Sequence, residues 1–281
     1  MRLRIALPKG RLLRGVCELL EAAGVEVQVS GRLLRANLGR LEVKLFKPQN
    51  VPSLVAAGRF QLGFTGLDWL KEQNADLAVL IETGLDAVDI VAAAPAGVSI
   101  NDLRSRSNVL VATEYPNLTR QWVSKQGIRC TILRTYGSTE VFPPEDADMI
   151  VDNAATGRTL REHGLNVLDV LMRSSTCLVA NREALEGEAA GAIREMVTLL
   201  ESALLARRKV LLEMNVPVEL VDEILPRLPC MKAPTVAPLY GGAGYAIKIA
   251  VDEAEAPALV VQLKRMGATD ILQYRLERIV P

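Results

Sequence analysis

The run from Asp152 to Thr159 reads DNAATGRT and lies between a predicted strand and a predicted helix. Backbone N–H groups at the start of a helix have no intrahelical partner, and the helix dipole favours an anion there. Gly157 permits close backbone approach, and the Thr156 and Thr159 hydroxyls can add hydrogen bonds. Asp152 can accept hydrogen bonds from two neighbouring sugar hydroxyls. The pattern predicts a ribose 5-phosphate site, and the alternative is an ordinary strand-to-helix turn with a threonine N-cap. The candidate binding residues are Asp152, Asn153, Ala154, Ala155, Thr156, Gly157, Arg158 and Thr159.

Two cations flank a glycine in the segment Lys9-Gly10-Arg11, again between a predicted strand and a predicted helix. Ligands of open α/β sheets bind outside the carboxyl ends of the strands. Lys9 and Arg11 can therefore neutralise a pyrophosphate, and we take them as candidate catalytic residues. The alternative is a pair of solvated loop cations.

Three further segments also follow predicted strands. The turn from Gly66 to Asp68 offers an acid, which can otherwise serve as an N-cap. Tyr115 offers an aromatic face for a base, although Pro116 beside it also fits a plain helix start. Glu140 can meet a metal ion or a substrate hydroxyl, or lie exposed. The five segments together predict a single site at the carboxyl ends of the strands.

Histidine and cysteine usage argues against other kinds of site. His163 is the one histidine, and it lies at a predicted helix end where a solvated side chain is expected. Without a second histidine, a Ser-His-Asp or Cys-His catalytic set is not expected. The cysteines form no C-x-x-C pair, so we expect reduced, mostly buried thiols and no structural zinc. They are Cys17, Cys130, Cys177 and Cys230.

Short β-rich runs alternate with helical patterns over the first two-thirds of the chain, which indicates parallel sheets with helices on both faces. Breaks at 93–97 and 173–182 predict two crossovers between two lobes with a cleft. A long amphipathic helix is predicted over 188–208. The predicted strands are Leu3–Leu7, Leu41–Phe46, Gln61–Phe64, Leu77–Ile81, Ile90–Ala94, Asn108–Ala112, Cys130–Leu133, Met149–Asp152 and Cys177–Ala180.

The last block follows a different order, β-α-β-β-α-β, which is typical of a ferredoxin-like module. Its predicted strands are Val210–Met214, Thr235–Leu239, Ala246–Val251 and Ile271–Ile279, and its predicted helices are Val218–Leu225 and Pro257–Met266. The Gly241–Gly244 run is expected to be a hairpin connection.

Composition limits the function classes. The chain of 281 residues suggests about two domains, and 33 basic against 33 acidic residues give a formal net charge of zero. A nucleic-acid binder normally has a basic excess, so we expect no nucleic-acid partner. We find neither a stretch apolar enough to span a bilayer nor a signal-peptide pattern, so we expect a cytoplasmic protein without a membrane partner.

The motifs, in their order, resemble the ATP phosphoribosyltransferase family of histidine biosynthesis. The matching stretches are LPKGRL, FTGLD, ATEYPNLT, GSTE, DNAATGRTLREHGL and KAPTVAPL. The C-terminal module is similar to the regulatory domain of the long form. The resemblance implies a two-lobed catalytic part like type II periplasmic binding proteins. We expect residues 1–94 plus 180–207 to form lobe I, 95–179 to form lobe II and 208–281 to form the ferredoxin-like domain.

The implied reaction joins ATP and phosphoribosyl pyrophosphate to give N1-(5-phosphoribosyl)-ATP and pyrophosphate. The resemblance implies Mg²⁺ dependence with unknown ligands, a homo-oligomer (dimers forming a hexamer) and feedback inhibition by histidine. It places the effector near Asn215, Met231 and Thr235. Many relatives carry an acid where this chain has Asn215, and an amide pairs less strongly with an ammonium group. The alternatives are a non-catalytic cytosolic sensor of a phosphorylated metabolite and a regulatory subunit.

Overall fold

The computed structural model describes residues 3–25, 27–30, 33–36 and 41–281. They form two compact units. The first holds the described residues up to Glu18 and those from Val25 to Arg194, and the second holds Leu19–Gly24 and Glu195–Pro281. Within this described part of the chain, no helix is long and apolar enough to cross a membrane.

The elements follow one another as an alternation of short strands and helices. The strands are β1 (Leu3–Pro8), β2 (Val27–Ser30), β3 (Leu33–Ala36), β4 (Leu41–Phe46), β5 (Leu62–Gly66), β6 (Ala78–Glu82), β7 (Val88–Pro95), β8 (Val109–Thr113), β9 (Cys130–Arg134), β10 (Met149–Ala154), β11 (Leu165–Ser174), β12 (Thr176–Ala180), β13 (Lys209–Val216), β14 (Thr235–Pro238), β15 (Tyr245–Asp252) and β16 (Thr269–Arg275). The helices are α1 (Arg11–Ala22), α2 (Val51–Ala56), α3 (Leu67–Gln73), α4 (Ile100–Ser105), α5 (Pro116–Gln126), α6 (Arg158–Glu162), α7 (Arg182–Glu186), α8 (Ala190–Ala206), α9 (Val221–Ile224) and α10 (Ala256–Arg265). Single 3₁₀ turns occupy Pro48–Asn50, Thr139–Val141, Val218–Leu220, Leu225–Arg227 and Tyr240–Gly242.

Two five-stranded sheets organise the first unit, and we call each sheet with the helices between its strands a lobe. The first lobe has the strand order β4-β1-β5-β12-β6, and the second has β11-β7-β10-β8-β9. Both sheets are built alike, because each has a parallel core and one strand that reaches it from the other lobe. Strand β12 runs antiparallel in the first sheet, and β7 runs antiparallel in the second. The predicted division into two lobes, each built on one sheet, is confirmed.

Strand pairing corrects two expectations. The sheets are mixed rather than parallel, because the strands that arrive from the opposite lobe run against their neighbours. The first crossover lies at 83–87 and not at 93–97, since β7 pairs wholly within the second sheet. A buried strand has the same apolar pattern in either sheet, so the sequence did not show which sheet β7 joins. The exact limits of the lobes as domains stay a prediction.

The first two-thirds of the chain also contain elements that the sequence did not predict. They are the hairpin of β2 and β3, the helices α3, α4 and α7, and most of strand β11. Strand β11 pairs with β7 through two irregularities in register, between Val167 and Asp169 and between Val170 and Met172. Each irregularity shifts the alternation of buried and exposed side chains by one residue, which obscures a strand in the sequence.

A four-stranded antiparallel sheet in the order β14-β15-β13-β16 forms the second unit with α9 and α10. Val210, Leu212, Met214 and Val216 alternate along β13 and are fully buried, as expected for a sheet with one covered face. The ferredoxin-like order and the hairpin connection over 241–244 are confirmed. The helix expected over 218–225 is shorter, because 3₁₀ turns flank α9, and the last strand ends at Arg275.

Candidate active site

The loop after β10 has the geometry that the sequence predicts. Strand β10 ends at Ala154, and α6 begins at Arg158 as a helix of five residues. Gly157 is the N-cap with φ at +66°, a conformation that favours glycine because other residues meet a steric penalty there. The Thr156 hydroxyl accepts a 3.4 Å hydrogen bond from the amide of Arg158, and the Thr156 carbonyl accepts one of 3.2 Å from the Arg161 guanidinium.

This loop faces a cavity of about 300 Å³ to which both lobes contribute. Arg11 comes from the first lobe and Val88 begins the crossing strand β7, whereas the other lining residues belong to the second lobe. Ala155, Thr156 and Thr159 are exposed, so the loop is open to a ligand rather than covered by packed side chains. The second-lobe residues of the lining are Glu140 and Asp152 to Leu160.

Asp152 is the acid at the edge of this cavity. Burial raises its pKa to about 6, and the charges of Glu114 and Glu140 act in the same direction. Hydrogen bonds from the Asn153 amide and from Thr139 oppose the shift. The Asn153 amide donates to Asp152 Oδ1 at 2.7 Å and the Asn153 side chain at 3.1 Å. At neutral pH the carboxylate is therefore mostly ionised and can accept hydrogen bonds from a ligand.

A second cavity, of about 150 Å³, lies at the junction of the lobes. Lys9 and Arg11 line it together with Asp86, and Arg11 also lines the larger cavity. The Arg11 guanidinium donates a 2.8 Å hydrogen bond to the Asp86 carbonyl oxygen. The structure thus brings both predicted cations to one place, with Arg11 shared between the two cavities. The further lining residues are Leu12, Pro48, Gln49, Gly66, Asp68, Trp69, Glu114, Tyr115, Asn153, Ser174 and Ser175.

Asp68 is a buried acceptor and not the N-cap of α3. Gly66 is the N-cap, and a Cβ atom there would collide with the Asp68 carboxylate, so the turn requires glycine. The carboxylate accepts hydrogen bonds from the Tyr115 hydroxyl at 2.8 Å and from the Ser174 hydroxyl at 2.7 Å. Burial of Asp68 is therefore balanced by two strong donors.

The structure corrects the expectation that the Tyr115 ring offers an open face to a base. The side chain is 1 % exposed, and its ring stacks on Trp69 with centroids 4.5 Å apart. The ring faces are occupied, so Tyr115 does not offer an open face to a base as the sequence suggested. The hydroxyl group instead joins a chain of hydrogen bonds, since it also accepts one of 3.4 Å from the Asn153 side chain. This chain links Asp152 at the first cavity to Asp68 at the second.

Comparison with known proteins assigns the chain to a family. The ATP phosphoribosyltransferase family model matches residues 47–202, and the model of the HisG C-terminal domain matches residues 206–278. The ATP phosphoribosyltransferase of Desulforudis audaxviator is 35% identical and covers 100% of both chains. That of Methanocaldococcus jannaschii is 37% identical and covers 98% of this chain and 99% of its own. The chain belongs to the ATP phosphoribosyltransferase family. A solved ATP phosphoribosyl transferase (HisG:HisZ) complex from Thermotoga maritima matches 71% of this chain and 98% of its own, with a TM-score of 0.63 and 28% identity.

The presence of the C-terminal domain identifies the long form of ATP phosphoribosyltransferase. Within the second unit, Asn215 lies on β13 and Thr235 begins β14, with β15 between these strands. Met231 is exposed just before β14. The Asn215 side-chain amide donates a 2.9 Å hydrogen bond to Asp270 on β16. The effector role of these residues stays a prediction.

The acids that line the first cavity fit a metal ion that arrives with a substrate. Among the described residues, no group of three or more His, Cys, Asp or Glu side chains is arranged to hold a metal ion. Asp152 and Glu140 line the same cavity. One or two carboxylates with phosphate oxygens are what Mg²⁺ needs when it binds with a phosphorylated substrate.

Sequence reasoning missed several residues at this site. Ser174 donates a hydrogen bond to Asp68, and Trp69 stacks on Tyr115. Ser174 could have been found from the Ser-Ser pair at a predicted crossover. Glu114 lines the second cavity, and burial raises its pKa. Glu72, on the unpredicted helix α3, is 6 % exposed. Nothing in its spacing signals burial, because its partners are about 45 residues away.

Proposed function

We propose that the chain transfers the phosphoribosyl group of phosphoribosyl pyrophosphate to N1 of the adenine of ATP, with release of pyrophosphate, in histidine biosynthesis. One observation carries the proposal: the loop from Asp152 to Thr159 opens into a cavity that Arg11 shares with a second cavity. A sugar phosphate on the loop would have its anomeric carbon directed between the lobes, where a second substrate can approach it.

The loop holds the ribose 5-phosphate portion. The exposed hydroxyls of Thr156 and Thr159, with the amides around Gly157, supply donors for the phosphate. Asp152 accepts hydrogen bonds from the ribose hydroxyls, and its raised pKa makes a donor-rich ligand favourable there. Arg158 and the small residues Asn153, Ala154 and Ala155 complete this surface.

Lys9 and Arg11 balance the charge of the departing pyrophosphate. Attack by adenine N1 on C1 of the ribose passes through an oxocarbenium-like transition state, with negative charge growing on the leaving group. Fixed cations stabilise that charge, and positioning of the two substrates supplies most of the remaining rate enhancement. This reaction requires no nucleophile on the enzyme.

The second cavity receives the adenine. The Gly66–Asp68 turn forms one of its walls, and Tyr115 fixes the Asp68 carboxylate through its hydroxyl group. Mg²⁺ would bind the pyrophosphate oxygens near Asp152 and Glu140, where it would supply positive charge to the leaving group. We further propose a cytoplasmic homo-oligomer, in the form of dimers and a hexamer, that histidine inhibits through Asn215, Met231 and Thr235.

The proposal is tested by mixing the protein with ATP, Mg²⁺ and phosphoribosyl pyrophosphate and following the ultraviolet absorbance of the N1-substituted adenine. Turnover is expected, whereas a metabolite sensor would bind the substrates without converting them. Asp152→Ala should lower kcat/KM for phosphoribosyl pyrophosphate by about ten- to a few hundredfold, because it removes charge-assisted hydrogen bonds to the sugar. Asp146→Ala, at an exposed acid on the same lobe, is the control and should leave kcat/KM unchanged.

A further inference from the structure

Glu72 connects the two lobes through the beginning of helix α5. Its carboxylate accepts hydrogen bonds from the backbone amides of Asn117 and Leu118, at 3.0 and 2.9 Å. The Asn117 side chain donates a further bond of 2.8 Å to the Glu72 carbonyl oxygen. Glu72 lies on α3 of the first lobe, whereas α5 belongs to the second. The contact therefore joins the two lobes, and three donor groups of α5 bind one residue of α3.

These bonds replace the cap that a helix normally receives from its own chain. The first amides of a helix have no intrahelical acceptor, and the helix dipole favours a negative charge beside them. Pro116 has no N–H group, and Tyr115, at the N-cap, directs its side chain to Asp68. Glu72 thus satisfies the amides that follow, and helix α5 is completed by a carboxylate of the other lobe.

The environment of Glu72 makes the contact a strong one. Its side chain is 6 % exposed, and its burial raises the pKa. The amides of Leu118 and Asn117 and the charges of Arg134 and Arg120 act in the opposite direction. Opening of the lobes would break these charge-assisted hydrogen bonds, so the contact resists opening.

Two neighbours on α3 reinforce the same junction. Trp69 is 8 % exposed and belongs to the hydrophobic cluster of the second lobe, where it stacks on Tyr115. Asp68 accepts the Tyr115 hydroxyl bond and lines the second cavity. Helix α3 therefore holds the second lobe by three residues. Glu72 is the one of them that lines neither cavity described above.

We propose that Glu72 is a positioning residue that fixes the angle between the lobes, and thereby the distance between the loop at Asp152–Thr159 and the cations Lys9 and Arg11. The inference rests on the proposed function, because phosphoribosyl pyrophosphate has to reach both places at once. A misplacement of about 1 Å between reacting groups can lower a rate by about a hundredfold. Loss of Glu72 should therefore impair the use of this substrate more than the binding of its ribose phosphate portion.

The test compares Glu72→Ala and the milder Glu72→Gln with Ser99→Ala. Ser99 caps helix α4 within the second lobe, so this control removes a helix cap without touching the lobe junction. Two quantities are measured in one assay: kcat/KM for phosphoribosyl pyrophosphate, and the inhibition constant of ribose 5-phosphate, which occupies only the loop. Thermal unfolding of each variant is recorded alongside.

We expect Glu72→Ala to lower kcat/KM by about ten- to a hundredfold with the inhibition constant within about twofold of the wild type. Glu72→Gln keeps one acceptor oxygen, so its kcat/KM should lie between those of the wild type and Glu72→Ala. Ser99→Ala should change neither kcat/KM nor the inhibition constant. If Glu72→Ala does not fold, Glu72→Gln decides on the same readouts. With an active wild type, two results for the Glu72 variants would overturn the interlobe role. One is a loss of ribose 5-phosphate binding as large as the loss of kcat/KM, and the other is a kcat/KM equal to that of Ser99→Ala. A wild type without turnover overturns the proposed function, and this role with it.

Discussion

Asp152 is destabilised in the protein without substrate. Burial of its carboxylate, with the nearby charges of Glu114 and Glu140, raises its pKa to about 6. A substrate with several hydroxyl groups relieves this by donating hydrogen bonds. Residues at binding sites often carry such a penalty, because the arrangement that suits the ligand does not suit the free protein.

This penalty predicts a pH-dependent difference between Asp152→Asn and the wild type. A carboxyl group whose pKa is higher in the folded than in the unfolded state stabilises the fold while it is protonated. This contribution is complete below the pKa of the unfolded state and is lost as the pH rises through about 6. Asp152→Asn should therefore be more stable than the wild type by about 1–3 kcal/mol at pH 8. Below pH 4 the gap should close. Urea unfolding across this pH range measures it, with Asp146→Asn as control, and a gap independent of pH would contradict the interpretation.

Gly157 predicts a backbone effect at the phosphate loop. Its φ of +66° penalises a side chain, so Gly157→Ala should lower the free energy of unfolding by about 1 kcal/mol. The added Cβ would also lie 3.2 Å from the Arg161 guanidinium. We expect weaker inhibition by ribose 5-phosphate as well. Gly191→Ala, in helix α8 with open space around it, is the control and should be neutral or slightly stabilising. Unaltered binding in Gly157→Ala would argue against a phosphate at this loop.

At the scale of single elements, the N-terminus of helix α4 is fixed by hydrogen bonds between residues close in the sequence. The Ser99 hydroxyl accepts a hydrogen bond from the Asp102 amide, and the Asp102 carboxylate accepts one from the Ser99 amide. The Ser99 hydroxyl also donates a 2.6 Å hydrogen bond to the Asp102 carboxylate. This bond, followed by the one from the Ser99 amide, holds the pKa of Asp102 below its usual value.

Ser99→Ala should lower Tm by about 2–4 °C at neutral pH. A carboxyl group whose pKa is lower in the folded than in the unfolded state stabilises the fold while it is ionised. This contribution is complete above the pKa of the unfolded state and is lost as the pH falls through the pKa of the folded state. The difference in Tm between Ser99→Ala and the wild type should therefore shrink in acid, and scanning calorimetry from pH 7 to pH 3 measures it. Transferase activity should be unaffected, and a large loss of activity would contradict a purely local role.

The strands that the sequence predicted well are those that are continuously apolar. Strands β5 and β12 are buried throughout, and β10 is buried over residues 149–151, so each stands out as a short buried run between turn residues. Their direction and sheet could not be predicted, because pairing depends on residues distant in the chain. Strand β11 was missed since its bulges break the alternation. The loop from Asp152 to Thr159 was predicted because strand, turn and helix are contiguous, whereas the roles of Asp68 and Tyr115 depend on contact between lobes.

At the scale of the whole molecule, the proposed effector site lies within the second unit. Asn215 lies on β13, and its side-chain amide donates a hydrogen bond to Asp270 on the neighbouring strand. The Thr269 hydroxyl donates to the same carboxylate oxygen at 3.3 Å. Asp270 therefore places a negative charge beside Asn215, and this charge is partly neutralised by two donors.

Asn215→Asp should strengthen inhibition by histidine. The change removes the donor to Asp270 and adds a second carboxylate, and an ammonium group binds a carboxylate more tightly than an amide by about 1 kcal/mol. The inhibition constant of histidine should fall by about fivefold. It is measured at fixed ATP and phosphoribosyl pyrophosphate, with each variant normalised to its own rate without histidine. Asn166→Asp, which adds the same charge on the exposed face of β11, is the control. An inhibition constant that is equal in both variants would contradict the proposed effector role of Asn215, because a charge in contact with the ammonium group cannot leave its binding unchanged.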